Sequence, residues 1–66
     1  MKIQIQNRFD GVQVTKIQTP KGILSFFKDE WGFNDILITL NVFKRDININ
    51  TQNDAQLQSI IRDFLK

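Results

Sequence analysis

Few side chains of this 66-residue sequence have the chemistry that catalysis requires. The chain contains neither histidine nor cysteine, so it lacks the commonest proton shuttle, the thiolate nucleophile and the main zinc ligands. Its two serines, Ser25 and Ser59, fall inside segments whose pattern predicts helices, without an adjoining oxyanion loop. We therefore expect no catalytic residue, no metal site and no cofactor, and hence a protein that is not an enzyme.

The acidic residues occupy positions that turn and cap chemistry explains. Four of them stand where a turn or a helix start favours aspartate: Asp10, Asp35, Asp46 and Asp54. The single glutamate, Glu30, follows Asp29 near the end of a predicted helix. The sequence contains neither a glycine-rich phosphate loop nor a calcium-loop pattern. The carboxylates therefore predict turns and caps rather than acid–base catalysis.

A basic pair beside an aromatic residue, Phe43-Lys44-Arg45, is the most suggestive local feature. At a hairpin tip, it would offer a ring on which a base can stack and two cations for phosphates. Two basic residues in a turn are also common solubilising residues, and a net charge of +2 is small for a phosphate-binding surface. Contact with a protein is the leading hypothesis for this tip, and contact with nucleic acid is the alternative.

Composition indicates one small globular domain over residues 1–66. The hydrophobic fraction is 41% and the charged fraction 24%, values that differ from those of disordered chains. No apolar run approaches the roughly 18 residues of a spanning helix, and the N-terminus alternates instead of forming a signal peptide. We expect a cytoplasmic protein without membrane contact. Frequent Gln, Asn and Ile are typical of AT-rich coding sequences, such as those of low-GC bacteria, their phages and other mobile elements.

The first half of the chain predicts a hairpin followed by a helix. Alternating residues over 2–9 and 12–18 predict two strands, with Val12 and Val14 toward the core, joined by a type I′ turn at Asp10-Gly11. Thr19-Pro20 resembles a helix start. The apolar stripe of this helix would be Ile23, Leu24, Phe27 and Trp31. Trp31 would then close the core, with Gly32 as the C-cap and Phe33 partly exposed. Alternatively, Trp31 and Phe33 lie beside Phe43 and form an aromatic anchor for a partner.

The second half predicts another hairpin and another helix. Residues 35–43 form the strongest strand pattern, and Ile47 and Ile49 point inward from a shorter strand after the polar turn. Asn53 is the predicted N-cap of a C-terminal amphipathic helix. Its apolar residues are Leu57, Ile60, Ile61, Phe64 and Leu65.

The predicted order ββαββα is an α+β arrangement that resembles the topology of β-grasp domains. That resemblance implies a four-stranded sheet with its first and last strands side by side and helices packed on one face. A fully antiparallel sheet with both helices on one face is the alternative.

Either arrangement leaves one face of the sheet open, and we expect this face to contact a partner. It would carry Gln4, Gln6, Arg8, Gln13, Thr15, Thr39, Asn41, Asn48 and Asn50, together with Leu37 and Phe43. The candidate partner-binding residues on this face, at the tip and beside it are Arg8, Phe33, Leu37, Phe43, Lys44 and Arg45. The sequence thus predicts a protein-binding or regulatory module. A homodimer, a structural subunit of an assembly and a weak nucleic-acid-binding or transcription-regulating domain stay open.

Overall fold

The structure, a computed structural model, describes residues 1–42 and 44–66 and contains one sheet and one helix. The strands are β1 (Lys2–Asn7), β2 (Gln13–Thr19), β3 (Gly22–Lys28), β4 (Asn34–Leu40) and β5 (Arg45–Thr51), followed by helix α1 (Asp54–Phe64). The sheet order is β1-β2-β3-β4-β5, and every neighbouring pair is antiparallel. The chain is therefore a five-stranded meander with a C-terminal helix.

The predicted ββαββα order and four-stranded β-grasp-like sheet are wrong. The segment expected to form a first helix is β3, the central strand, and β1 and β5 lie at opposite edges instead of side by side. Leu24 and Phe26 point to the core from alternate positions of β3, whereas the helical stripe would have left Phe26 outside. Because side chains alternate along a strand, both Leu24 and Phe26 face the core, and pairing with β2 and β4 satisfies the backbone of β3.

The residues that resemble a helix start instead form the turn between β2 and β3. Thr19 and Gly22 pair across this turn, with Pro20 and Lys21 between them. Thr19 Oγ1 accepts a hydrogen bond from the Lys21 N–H at 3.2 Å and donates to the Gly22 carbonyl at 3.3 Å. Pro at the second position and Gly at the fourth suit such a turn as well as they suit a helix. The residues of this turn therefore fit both a helix start and the start of β3.

The predicted orientation of β2 is also wrong. Thr15 pairs with Phe26, and Ile17 pairs with Leu24, so the odd-numbered residues of β2 face the core and Val14 faces the other side. A strand whose alternation is imperfect takes its register from its neighbours, and a shift by one residue reverses every side chain. The buried Ile17 therefore determines which face of β2 is inside.

The second hairpin and the C-terminal helix confirm the sequence predictions. β5 pairs with β4, and Ile47 and Ile49 lie on the same face as Ile36 and Ile38. The Asn53 side chain caps α1 by accepting from the backbone N–H groups of residues 55 and 56.

The core lies between the sheet and α1. Its buried residues are Ile17, Leu24 and Ile36 from the sheet and Leu57 and Phe64 from the helix. Half-buried apolar side chains surround them: Phe26, Ile38, Leu40, Ile49, Ile60 and Ile61. The helix contacts mainly β4 and β5. Within residues 1–42 and 44–66, no helix has the length and apolar character needed to cross a membrane.

Candidate functional site

The face of the sheet opposite α1, called the open face below, is mainly polar. Side chains that stand directly opposite each other in antiparallel strands share a face, so the register assigns its residues. Its central row crosses all five strands as Gln4, Lys16, Ser25, Leu37 and Asn48. Of the predicted open-face residues, Gln13 and Thr15 instead lie on the face that carries α1.

An apolar depression lies in the middle of the open face. Val14, Phe27 and Leu37 surround Ser25 there and line a volume of about 350 Å³. Asp35 lies at its margin, where its Oδ1 accepts a hydrogen bond from Asn50 Nδ2 at 2.9 Å. An apolar centre with polar side chains at its margin is the arrangement found in the contact surfaces of proteins.

Two loops at one end of the sheet expose large aromatic side chains. This aromatic end consists of residues 8–12, between β1 and β2, and residues 29–33, between β3 and β4. Phe9 is fully exposed and Trp31 is 73% exposed. Tryptophan and phenylalanine have large apolar side chains that a folded protein usually buries. Their exposure on two loops at the same end of the sheet therefore needs an explanation.

The first loop presents Phe9 because it is a three-residue hairpin loop. The Arg8 N–H donates to the Val12 carbonyl at 2.8 Å, and the Gly11 N–H donates to the Arg8 carbonyl at 2.9 Å. Gly11 has φ +86°, whereas Phe9 and Asp10 are absent from the positive-φ residues of the described chain. This is the geometry of a type I turn followed by a glycine bulge, so the predicted type I′ turn is wrong.

The second loop is held by one carboxylate. Asp29 Oδ1 accepts from the backbone N–H groups of Trp31 and Phe33, each at 2.9 Å. The Asp29 N–H donates to the Phe33 carbonyl at 2.9 Å and closes the loop. Trp31 consequently projects into solvent, and its predicted place in the core is wrong because the segment before it is a strand.

A cation–π contact joins the aromatic end to the open face. The Arg8 guanidinium carbon lies 4.9 Å from the centre of the Phe27 ring, and the same side chain forms an ion pair with Asp10 at 3.0 Å. Asp29 and Glu30 line a small depression beside these groups. The aromatic end therefore combines an oriented guanidinium, exposed rings and an excess of carboxylates.

The start of α1 is attached to the same end of the sheet. The buried Asn34 side chain donates from Nδ2 to Asp54 Oδ1 at 2.8 Å, and the Lys28 ammonium lies 3.3 Å from that carboxylate. The hydrogen bond from Asn34, followed by the hydrogen bond and charge of Lys28, lowers the pKa of the Asp54 carboxyl. These contacts fix the helix on the sheet beside the loops.

The structure separates the predicted partner-binding residues into three places. Arg8 and Phe33 lie at the aromatic end, and Leu37 lies exposed on the open face. Lys44, in the turn, and Arg45, at the start of β5, lie at the opposite end, about 20 Å away along β4. Arg45 pairs with Leu40 and so shares the face of α1. Phe43 lies outside the described residues.

The predicted partner-binding residues did not include Phe9 and Trp31, the two most exposed aromatic residues of the described chain. Both were placed at apolar positions of predicted elements, where they would have been covered. The available signal was the run Asp29-Glu30-Trp31-Gly32, because aspartate and glycine three residues apart are typical of a turn as well as of a helix end.

Comparison with family models, with curated proteins and with solved structures finds no match to this chain. Within the part of the chain that the structure describes, no three acidic side chains cluster in a way that would hold a metal ion.

Proposed function

We propose that this protein is a non-enzymatic protein-binding module whose contact surface is the aromatic end together with the adjoining open face. The observation that carries the proposal is the exposure of Phe9 and Trp31 on adjacent loops, next to Arg8 stacked on Phe27. Tryptophan and arginine are the residue types most enriched at the energetic centres of protein interfaces. The apolar depression around Ser25 extends this surface across the sheet.

The loops that present these residues are well held. Asp29 fixes the backbone of Trp31 and Phe33, and Asp10 orients Arg8. Preorganised anchors lose less conformational freedom on binding, which leaves more of the contact energy as affinity. The carboxylates of Asp29 and Glu30 favour a partner that brings basic side chains beside an apolar group.

This contact surface lies at the end of the sheet opposite the basic tip, Lys44-Arg45. Because Lys44 and Arg45 lie at the far end of the sheet, a partner that binds Trp31 does not have to contact them. Nucleic-acid binding through the tip is the competing function, and the two functions require opposite ends of the molecule. The cytoplasmic location and the phage or mobile-element origin expected from the sequence stay predictions.

Paired baits in an affinity capture test the proposal. The wild-type chain is compared with Phe9→Ala/Trp31→Ala and with Lys44→Ala/Arg45→Ala, each with and without nuclease. Both double variants remove two exposed side chains, so they are matched for their small effect on folding. We expect a stoichiometric protein that survives nuclease, is retained by the tip variant and is lost by the aromatic variant, with affinity reduced about 30-fold or more.

Two results would overturn the proposal. Recovery that disappears with nuclease and with the tip variant would assign nucleic-acid binding to Lys44 and Arg45. A protein captured equally by all three baits would show that neither end of the sheet forms the contact.

A further inference from the structure

β1 is an edge strand whose free backbone groups can be identified. The hydrogen bond from the Arg8 N–H to the Val12 carbonyl makes residues 8 and 12 a hydrogen-bonded pair. Such pairs alternate along an antiparallel ladder with pairs whose backbone groups point away. The N–H and C=O groups of Ile3, Ile5 and Asn7 therefore point toward the unpaired side of β1.

The same strand carries two apolar side chains that are mostly exposed. Ile3 and Ile5 lie on the face of the sheet that carries α1, in line with Ile17 and Thr15, but the helix contacts mainly β4 and β5, near the far edge of that face. Ile3 is 59% exposed and Ile5 is 67% exposed. The apolar layer of the core thus continues to the β1 edge and remains open there.

The surface of the isolated chain is also large. Its accessible area is 4912 Å², whereas a 7.8 kDa monomer is expected to expose about 4,400 Å². The excess of about 500 Å² is comparable to what each subunit buries at the small end of specific interfaces. A partner at the β1 edge would bring the exposed area into the usual range.

We propose that β1 pairs antiparallel with β1 of a second copy of this chain, about a two-fold axis at Gln4. In this register Ile3 of one copy stands opposite Ile5 of the other, and the outward backbone groups of both residues meet in hydrogen-bonded pairs. Four isoleucines then form one apolar cluster on the face of α1. Lys2 stands opposite Gln6 of the second copy on the open face, so the two open faces join into one ten-stranded sheet.

The charges on the strand select this register over its neighbour. Pairing about Ile5 would also match the outward backbone groups, but it would place Lys2 opposite Arg8 of the second copy twice. Like charges directly opposite in a sheet are destabilising. The same shift would place Ile3 opposite Asn7, whereas pairing about Gln4 places each Ile3 opposite an Ile5 of the other copy.

The other edge of the sheet lacks these features. The apolar side chains of β5, Ile47 and Ile49, are half-buried and lie under α1 or beside it. β5 begins with Arg45 and Asp46, both exposed, and charged residues of this kind are a usual protection of edges against pairing. The second copy is therefore expected at β1, independently of any partner at the aromatic end.

Sedimentation equilibrium of the wild-type chain at micromolar to submillimolar concentration tests the proposal. We expect a mass that rises from one copy to two, and Ile5→Lys should remain a monomer. Val42→Lys is the matched control, because it exchanges another largely exposed aliphatic side chain for the same charge in the turn between β4 and β5. A monomer at every wild-type concentration, or a dimer unaffected by Ile5→Lys, would overturn the proposal.

Charge substitutions at Gln6 test the register without introducing a charge into an apolar position. Gln6→Glu creates two pairs with Lys2 across the dimer axis, and Gln6→Lys creates two like-charge pairs. The dimer dissociation constant should fall roughly 2- to 30-fold for the first and rise by a similar factor for the second, with both effects shrinking at high salt. Equal constants for the two variants would refute pairing about Gln4.

Discussion

Replacing Gly22 by alanine tests whether this glycine permits the close approach of β3 to β4. A Cβ at this position would lie 1.9 Å from the Thr39 carbonyl oxygen and 3.0 Å from its carbon. Both atoms belong to the backbone of β4, so no side-chain rotation relieves the overlap. Gly22 also has φ +154°, which an L-residue rarely adopts. Gly22→Ala must therefore push β3 and β4 apart where Gly22 approaches Thr39.

The expected loss combines two effects. Overpacking costs about 1–3 kcal/mol, and the positive φ costs about a further 1–2 kcal/mol. The resulting loss of about 2–5 kcal/mol is large beside the total unfolding free energy of about 3–10 kcal/mol expected for a chain of this length. Gly22→Ala is expected to be strongly destabilised or unfolded.

Urea unfolding followed by circular dichroism at equal protein concentration measures this loss. Gly11→Ala and Gly32→Ala are matched controls, because these glycines have φ +86° and +83° but a Cβ would meet nothing within 4 Å. Each control should lose only about 1–2 kcal/mol from its backbone conformation. If Gly22→Ala lost no more stability than these controls, the argument from the Thr39 carbonyl would be refuted.

Three further predictions concern the buried Leu24, the exposed Trp31 and the carboxyl of Asp54. Leu24→Ala should lower the free energy of unfolding by about 2–5 kcal/mol because Leu24 is fully buried. Trp31→Ala should change it by less than about 0.5 kcal/mol because Trp31 lies in an exposed loop. Urea titrations compare the two variants, and equal losses would contradict the exposed position of Trp31. The fluorescence of Trp31, the single tryptophan, should be quenched by acrylamide nearly as in the unfolded chain, and strong protection would place the ring in the core. The pKa of the Asp54 carboxyl is lower in the folded chain than its ordinary value of 3.8. Its ionised form therefore stabilises the fold fully above pH 3.8, and this stabilisation is lost as the pH falls through the lower pKa of the folded chain. Asp54→Asn should therefore be less stable than the wild type near neutral pH and approach it in acid, and a pH-independent difference would contradict this linkage.

The C-terminal helix and the second hairpin were predictable because their signals are local and agree with one another. Leu57, Ile60, Ile61 and Phe64 repeat at helical spacing after a capping residue, and no other element competes for these positions. Ile47 and Ile49 alternate cleanly with Asn48 and Asn50, so β5 has only one register that buries them.

The central strand and the candidate binding surface were not predictable because their residues satisfy two patterns at once. Ile23, Leu24 and Phe27 fit a helical stripe, whereas Leu24 and Phe26 fit one face of a strand. Intrinsic preference does not decide between these patterns in so short a segment. The error carried over to Trp31, which belongs to the core in the helical interpretation and to an exposed loop in the observed one.

By itself, the sequence determined that this chain has neither histidine nor cysteine, that it combines strands with a helix, and where the elements after residue 44 lie. The tertiary structure decided that Gly22–Lys28 is a strand, that Ile17 rather than Val14 faces the core, and that Phe9, Trp31 and Arg8 lie at the same end of the sheet. The physical reason is that a helix satisfies its backbone within its own segment, whereas a strand is stabilised by neighbours that are distant in the chain. The position of a loop residue in turn depends on the strands that the loop connects.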